Sequence, residues 1–160
     1  MRIIPYKEAY NKQWEMLFAE YWFDILGNTP DPPEKRDSEL SFLSSFILRQ
    51  MRTGIIRLDF AVRKGVLNGF ILYQVDSPKS DWCKKPGWGC IREFCVLPAA
   101  HGQGIGRELL THAEKQLKEQ GASQVYLQSF PSADGFYEKC GYTDSGETGV
   151  HDQKIYVKSI

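Results

Sequence analysis

Apolar residues recur along this chain with two periods, and the changes of period mark its elements. From Tyr10 to Gly27, "YNKQWEMLFAEYWFDILG", the apolar positions Trp14, Leu17, Phe18, Tyr21, Trp22 and Ile25 are three or four apart. That spacing is one face of a helix. Gly27 predicts its end, and "NTPDPPEKRD" reads as loop. A second helix, "SELSFLSSFILRQMRTG", is expected to begin at a cap, Asp37 or Ser38. The period then drops to two. "IIRLDFAVRKGVLNGFILYQVD" reads as two antiparallel strands around a Gly-containing turn.

"RIIPY" predicts a short strand before the first helix, and "CIREFCVL" a fourth strand after the turn-rich "SPKSDWCKKPGWG". Ile105, Leu109, Ala113 and Leu117 are each four apart, with Leu110 alongside, which predicts a third helix closed by Gly121. "QVYLQSF" is a fifth strand. "SADGFYEKCG" is a short helix, expected to be capped by Ser132 and stopped by Gly141. "KIYVKSI" ends the chain as a strand. A strand, a crossover helix and a strand imply that strands four and five run parallel. The expected fold is α/β: a mixed, mostly antiparallel sheet of six or seven strands with helices on both faces. Its 160 residues are expected to form a single domain.

Charge narrows the function. Twenty basic and twenty acidic side chains cancel. A general nucleic-acid binder carries a basic face, so that class is disfavoured. No apolar run reaches the length of a membrane span, and the N-terminus lacks the apolar centre of a signal peptide. Four cysteines, none in C-x-x-C spacing, read as reduced thiols of a cytoplasmic protein and give no metal site. Strict alternation puts Cys90 and Cys95 on opposite strand faces, where they cannot easily bridge.

The candidate chemistry starts at "VLPAAHGQGIGRELL", Val96 to Leu110. Gly102, Gly104 and Gly106 stand where a strand turns into a helix. A helix N-terminus presents unpaired N–H groups and about half a positive charge, and glycine lets an anion approach the backbone. Phosphate is the natural guest, with Arg107 adding charge; a tight turn with close packing is the other reading. The sequence lacks the Gly-Lys-Ser/Thr of a P-loop, and Arg107 stands where a dinucleotide fingerprint needs glycine.

"V-x-P-x-x-H-G-x-G-I-G-x-x-L-L" resembles the acetyl-CoA motif of the GNAT N-acetyltransferase superfamily. "ADGFYEKCGY", Ala133 to Tyr142, is similar to its second signature, and the element order resembles its fold over essentially the whole chain. The resemblance implies acetyl-CoA as cosubstrate and no metal. It makes His101, Gly102, Gln103, Gly104, Ile105, Gly106 and Arg107 cofactor-binding, with the pyrophosphate at the amides of Gln103 to Arg107. It implies a splay between strands four and five that admits the pantetheine arm, with backbone N–H near Val96 or Leu97 for the oxyanion. The implied activity is acetyl transfer to a primary amine of a small molecule or peptide by direct attack. A CoA-binding module that has lost catalysis is the alternative, and a homodimer is left open.

Two positions depart from the pattern. His101 replaces the usual Gln or Arg, so charge there depends on pH. No asparagine precedes the second motif; Ser129 and Ser132 are the nearby hydroxyls.

Acyl transfer needs a neutral amine and a stabilised leaving thiolate. An amine of pKa ~10.4 is about 3.4 units above pH 7, so deprotonation costs roughly 4–5 kcal/mol. Glu93, in an otherwise apolar strand, is the candidate base; pairing with Arg92 or Arg57 is the other reading. Tyr137 matches the family tyrosine at the sulfur, and reads otherwise as a core aromatic beside Phe136. The resemblance implies that the aromatic first helix and the "DPPEKRD" loop border the acceptor cleft; the helical spacing of Trp14, Tyr21 and Trp22 reads as core rather than as a cage, and the Ser77–Gly89 loop is a second candidate wall.

Overall fold

A computed structural model describes residues 1–26, 33–80 and 82–160; the side chains of residues 23–26, 33–36 and 151 are also left undescribed. Seven strands form one sheet in the order β1-β2-β3-β4-β5-β7-β6. They are β1 (Arg2–Pro5), β2 (Arg57–Arg63), β3 (Val66–Val75), β4 (Gly89–Val96), β5 (Gln124–Ser129), β6 (Thr143–Thr148) and β7 (Lys154–Ser159). The helices are α1 (Asn11–Leu26), α2 (Pro33–Arg52), α3 (Ile105–Glu119) and α4 (Asp134–Lys139). β4 and β5 are parallel and every other pairing is antiparallel. The fold is the mixed α/β sheet expected from the sequence.

Each face of the sheet carries its own core. On one, Trp14, Leu17 and Phe18 of α1 pack against Phe60, Phe70 and Leu72. On the other, Ile105, Leu109, Ala113 and Leu117 of α3 pack against Ile71, Ile91 and Val125. Each fully buried Leu, Ile or Phe contributes about 1.5–3 kcal/mol. The β2–β3 turn has positive φ at both Lys64 (51°) and Gly65 (78°), the backbone of a tight hairpin turn.

Four details differ from the sequence reading. α2 starts at Pro33, ahead of Asp37 and Ser38, because proline's fixed φ suits the first turn of a helix. The expected end at Gly27, most of the preceding loop and the Ile25 side chain lie outside the described residues. Ser132 does not cap α4; the residue before that helix is Ala133, and no side chain caps it. β6 has no clear counterpart in the apolar pattern. Its sequence, TDSGET, is mostly exposed and polar, and only backbone pairing with β7 makes it a strand.

The fourth difference shapes the site. Leu72 pairs with Glu93 but Tyr73 pairs with Ile91, so Arg92 is an extra residue in β4. Such a bulge breaks alternation. Ile91 and Phe94, three apart, therefore both pack toward α3. Cys95 faces α1, while Cys90 packs on Tyr126, whose neighbours Val125 and Leu127 face α3. The two cysteines thus share the α1 face, contrary to strict alternation. None of the four cysteines is in a disulfide.

Candidate active site

β4 and β5 pair only from Gly89–Val125 to Ile91–Leu127, although β4 continues to Val96. The strands part beyond Ile91, and a cleft of about 1650 Å³ opens there. It runs from the first turn of α3 past Glu93 and Tyr137 to Trp82 and α2.

At one end is the start of α3. Gly102 (φ 73°) and Gly104 (φ 80°) hold left-handed backbone, which L side chains adopt only with strain. A Cβ at either would meet nothing within 4 Å, so both face open space. Gly106 answers a different need: its Cβ would lie 3.2 Å from Phe136 and 3.3 Å from Phe94. The first intrahelical bond is Glu108 N–H to the Gly104 carbonyl. No side chain caps the helix, which leaves the amides of Ile105, Gly106 and Arg107 to the cleft.

The charged and polar groups of this loop brace the turn. His101 Nε2 donates to the Val96 carbonyl at 2.8 Å, which fixes its tautomer. Gln103 receives a 3.0 Å bond from Arg63 and donates to the Ala99 carbonyl. Arg107 donates to the Lys139 carbonyl at 3.1 Å, joining the first turn of α3 to the last turn of α4. The two sequence motifs meet through this contact.

Val96 and Leu97 differ in availability. The Leu97 N–H donates to the Asn68 carbonyl at 2.8 Å. The neighbouring Val96–Gly69 pair is therefore a non-hydrogen-bonded pair of the ladder, and the Val96 N–H points away from β3, into the opening. Of the two amides expected there, only Val96 faces the cleft.

Glu93 meets neither Arg57 nor Arg92 in a hydrogen bond. Its Oε2 accepts a 2.6 Å bond from the Tyr21 hydroxyl of α1; Arg57 donates instead to Gln116. Burial raises the Glu93 pKa, and the Tyr21 bond and the Arg92 charge oppose the rise. The spacing of Tyr21 predicts a core position. Tyr21 lines the cleft with Trp22, whereas Trp14 is fully buried.

Tyr137 lies 5.2 Å from Phe136, ring centre to ring centre, and packs on Phe94, Tyr142 and Tyr156. Burial first, and then the Glu93 charge, raise its pKa. Its hydroxyl has no hydrogen-bond partner among the described residues, and its side chain lines the cleft. Ser129 bonds Asp134 at 2.6 Å, whereas Ser132 lines the cleft. Among the described residues no group of three His, Cys, Asp or Glu is placed to hold a metal, and no helix is long and apolar enough to cross a membrane.

The profile of the acetyltransferase (GNAT) family matches residues 8–142, most of the chain. The chain belongs to the GNAT acetyltransferase family. PaiA N-acetyltransferase from Thermoplasma acidophilum, solved with coenzyme A, has the same fold with a TM-score of 0.74 at 19% identity, covering 100% of both chains. An aminoglycoside 6'-N-acetyltransferase, also with coenzyme A, gives 0.71 at 16% identity over 99% of this chain and 97% of that one. In sequence, this GNAT chain is 38% identical to glucosamine 6-phosphate N-acetyltransferase of Candida albicans over 58 residues, 36% of this chain and 39% of that protein. It is 31% identical to the N-acetyltransferase YjcF of Bacillus subtilis over 87 residues, 53% of this chain and 62% of that one. The matches thus span about two fifths to three fifths of these relatives' lengths.

Proposed function

We propose that this chain is a single-domain, cytoplasmic N-acetyltransferase that moves an acetyl group from acetyl-CoA to a primary amine of a small molecule or peptide by direct attack. The observation that carries the reading is the opening beyond Ile91, with the Val96 N–H aimed into it and the uncapped start of α3 at its end. The free amides of Ile105, Gly106 and Arg107 suit the pyrophosphate, and the helix dipole favours its charge. Gly102 and Gly104 let it approach without side chains. His101 and Gln103 hold the turn rather than the anion. Four cysteines outside any disulfide fit a reducing compartment.

In this reading the acetyl carbonyl lies at the Val96 N–H, which stabilises negative charge as the amine adds. Glu93 takes the amine proton. Burial moves its pKa up toward the operating range, where a base is effective, and Tyr21 orients the carboxylate. The Tyr137 hydroxyl donates to the departing sulfur. Its raised pKa makes full proton transfer uphill, so hydrogen bonding is its role.

The test is thiol release from acetyl-CoA with a panel of amino acids, amino sugars, polyamines and peptides. Amine-dependent release with matching N-acetyl product supports the enzyme. Tight acetyl-CoA binding with no release for any amine favours a CoA-binding module.

A further inference from the structure

The bulge in β4 has a consequence for the acceptor. Arg92 and Glu93 are consecutive, yet both face the α1 side of the sheet. Glu93 meets Tyr21 of α1, and Arg92 donates through Nη1 to Gln74 Oε1 at 3.2 Å. Both line the cleft. The guanidinium also sits 5.6 Å over the exposed Trp82 ring.

Among the described residues, the side chain that braces Arg92 is a neutral amide. Gln74 is buried, and its amide nitrogen donates to Asp76 and to the Trp82 carbonyl, which fixes its oxygen toward Arg92. Asp76 is itself held by the Tyr126 hydroxyl and the amides of Lys84 and Lys85. Arginine has five N–H donors, and Gln74 takes one. Among the described residues no carboxylate lies within ion-pair distance of the guanidinium. Arg92 lies on β4, four positions before Val96, and is distinct from the cofactor's anion site at the uncapped start of α3.

We propose that the acceptor is a primary amine that also carries an anionic group, a carboxylate or a phosphate, and that Arg92 binds this group while the amine lies at Glu93. The inference rests on the acetyltransferase reading and narrows its acceptor. A fixed guanidinium offers two parallel N–H donors that match carboxylate or phosphate oxygens. Its charge repels polycations. The described acids of the cleft are Glu93 and the peripheral Glu20, few for a polyamine.

Two matched pairs test this: phenylalanine against phenylalaninamide, and glucosamine 6-phosphate against glucosamine. The readout is the ratio of kcat/KM for the anionic member to that for its neutral partner. Comparing this ratio between proteins cancels the different pKa values of the amines. Arg92→Gln should lower it by about ten- to a hundredfold in at least one pair, mainly through KM, with Arg92→Lys between. The pair that responds tells carboxylate from phosphate. An unchanged ratio in both pairs overturns the proposal.

Failure of every amine to react would count against the acetyltransferase reading, and a binding measurement then decides this inference. CoA-loaded protein is titrated with N-acetylphenylalanine and N-acetylglucosamine 6-phosphate, with intrinsic tryptophan fluorescence as the reporter, since Trp22 and Trp82 line the cleft. A saturable change lost in Arg92→Gln supports the anion site. Equal responses in both proteins, or none in either, overturn it.

Discussion

The Tyr21 hydroxyl of α1 donates a 2.6 Å hydrogen bond to Glu93 of β4, residues 72 positions apart in sequence. The contact joins the first helix to the strand that lines the opening. It also sets the sign of a pH effect. The bond stabilises the carboxylate and lowers a pKa that burial raises. Tyr21→Phe should therefore move the acidic limb of the pH–rate profile to higher pH. Glu93→Gln should remove that limb and lower kcat by about 10²–10⁴. Wild-type profiles in both variants would take the proton-transfer role away from Glu93.

The same burial links activity to stability. The folded-state pKa of Glu93 is above its unfolded value, so ionisation of Glu93 at neutral pH opposes folding. Glu93→Gln should raise Tm at pH 7–8. The gain should fade as pH falls through the folded pKa toward about 4.3, where wild-type Glu93 is protonated too. Thermal melts across pH check this; a variant less stable than wild type at neutral pH would contradict it.

At the start of α3, Gly104→Glu should weaken acetyl-CoA binding at least about a hundredfold, ~2.7 kcal/mol, by placing negative charge at the anion site. Left-handed backbone at φ 80° strains any side chain, so Gly104→Asn, which tolerates that backbone, is the control. It should bind with far smaller loss by calorimetry. Equal losses would mean that strain, not charge, is being read.

Gly106→Ala tests packing instead. The added methyl would press on Phe136 and Phe94, which links the α3 turn to α4 and β4. Destabilisation of about 1–3 kcal/mol is expected in denaturant melts. No change would show that the aromatic pair yields freely.

Tyr137→Phe keeps the ring and removes the hydroxyl. Single-turnover acetyl transfer should slow by about ten- to a hundredfold, with little change in acetyl-CoA affinity. An unchanged rate would leave Tyr137 as a packing residue.

The sequence made visible what depends on neighbours in the chain. Helical and strand periods located nearly every element, and the Gly102–Arg107 turn announced itself because its glycines follow a strand and open a helix. What escaped depends on tertiary contact. Tyr21 has the spacing of a core residue, and only the packing of α1 over β4 turns it toward Glu93. The Arg92 bulge appears only when the β3 register is known, and it overturned the alternation that separated Cys90 from Cys95. Sequence does not distinguish the Leu97 amide from that of Val96; the ladder does, because Leu97 N–H donates to the Asn68 carbonyl. β6 is held by backbone pairing, which leaves little trace in polarity.

The placement of acetyl-CoA is tested most directly by backbone amide shifts on titration with a non-hydrolysable acetyl-CoA analogue. The account predicts large, saturable shifts at Val96, Ile105, Gly106 and Arg107, and a far smaller one at Leu97, whose N–H is already bonded to Asn68. Binding that leaves Val96 and the start of α3 unmoved would contradict it.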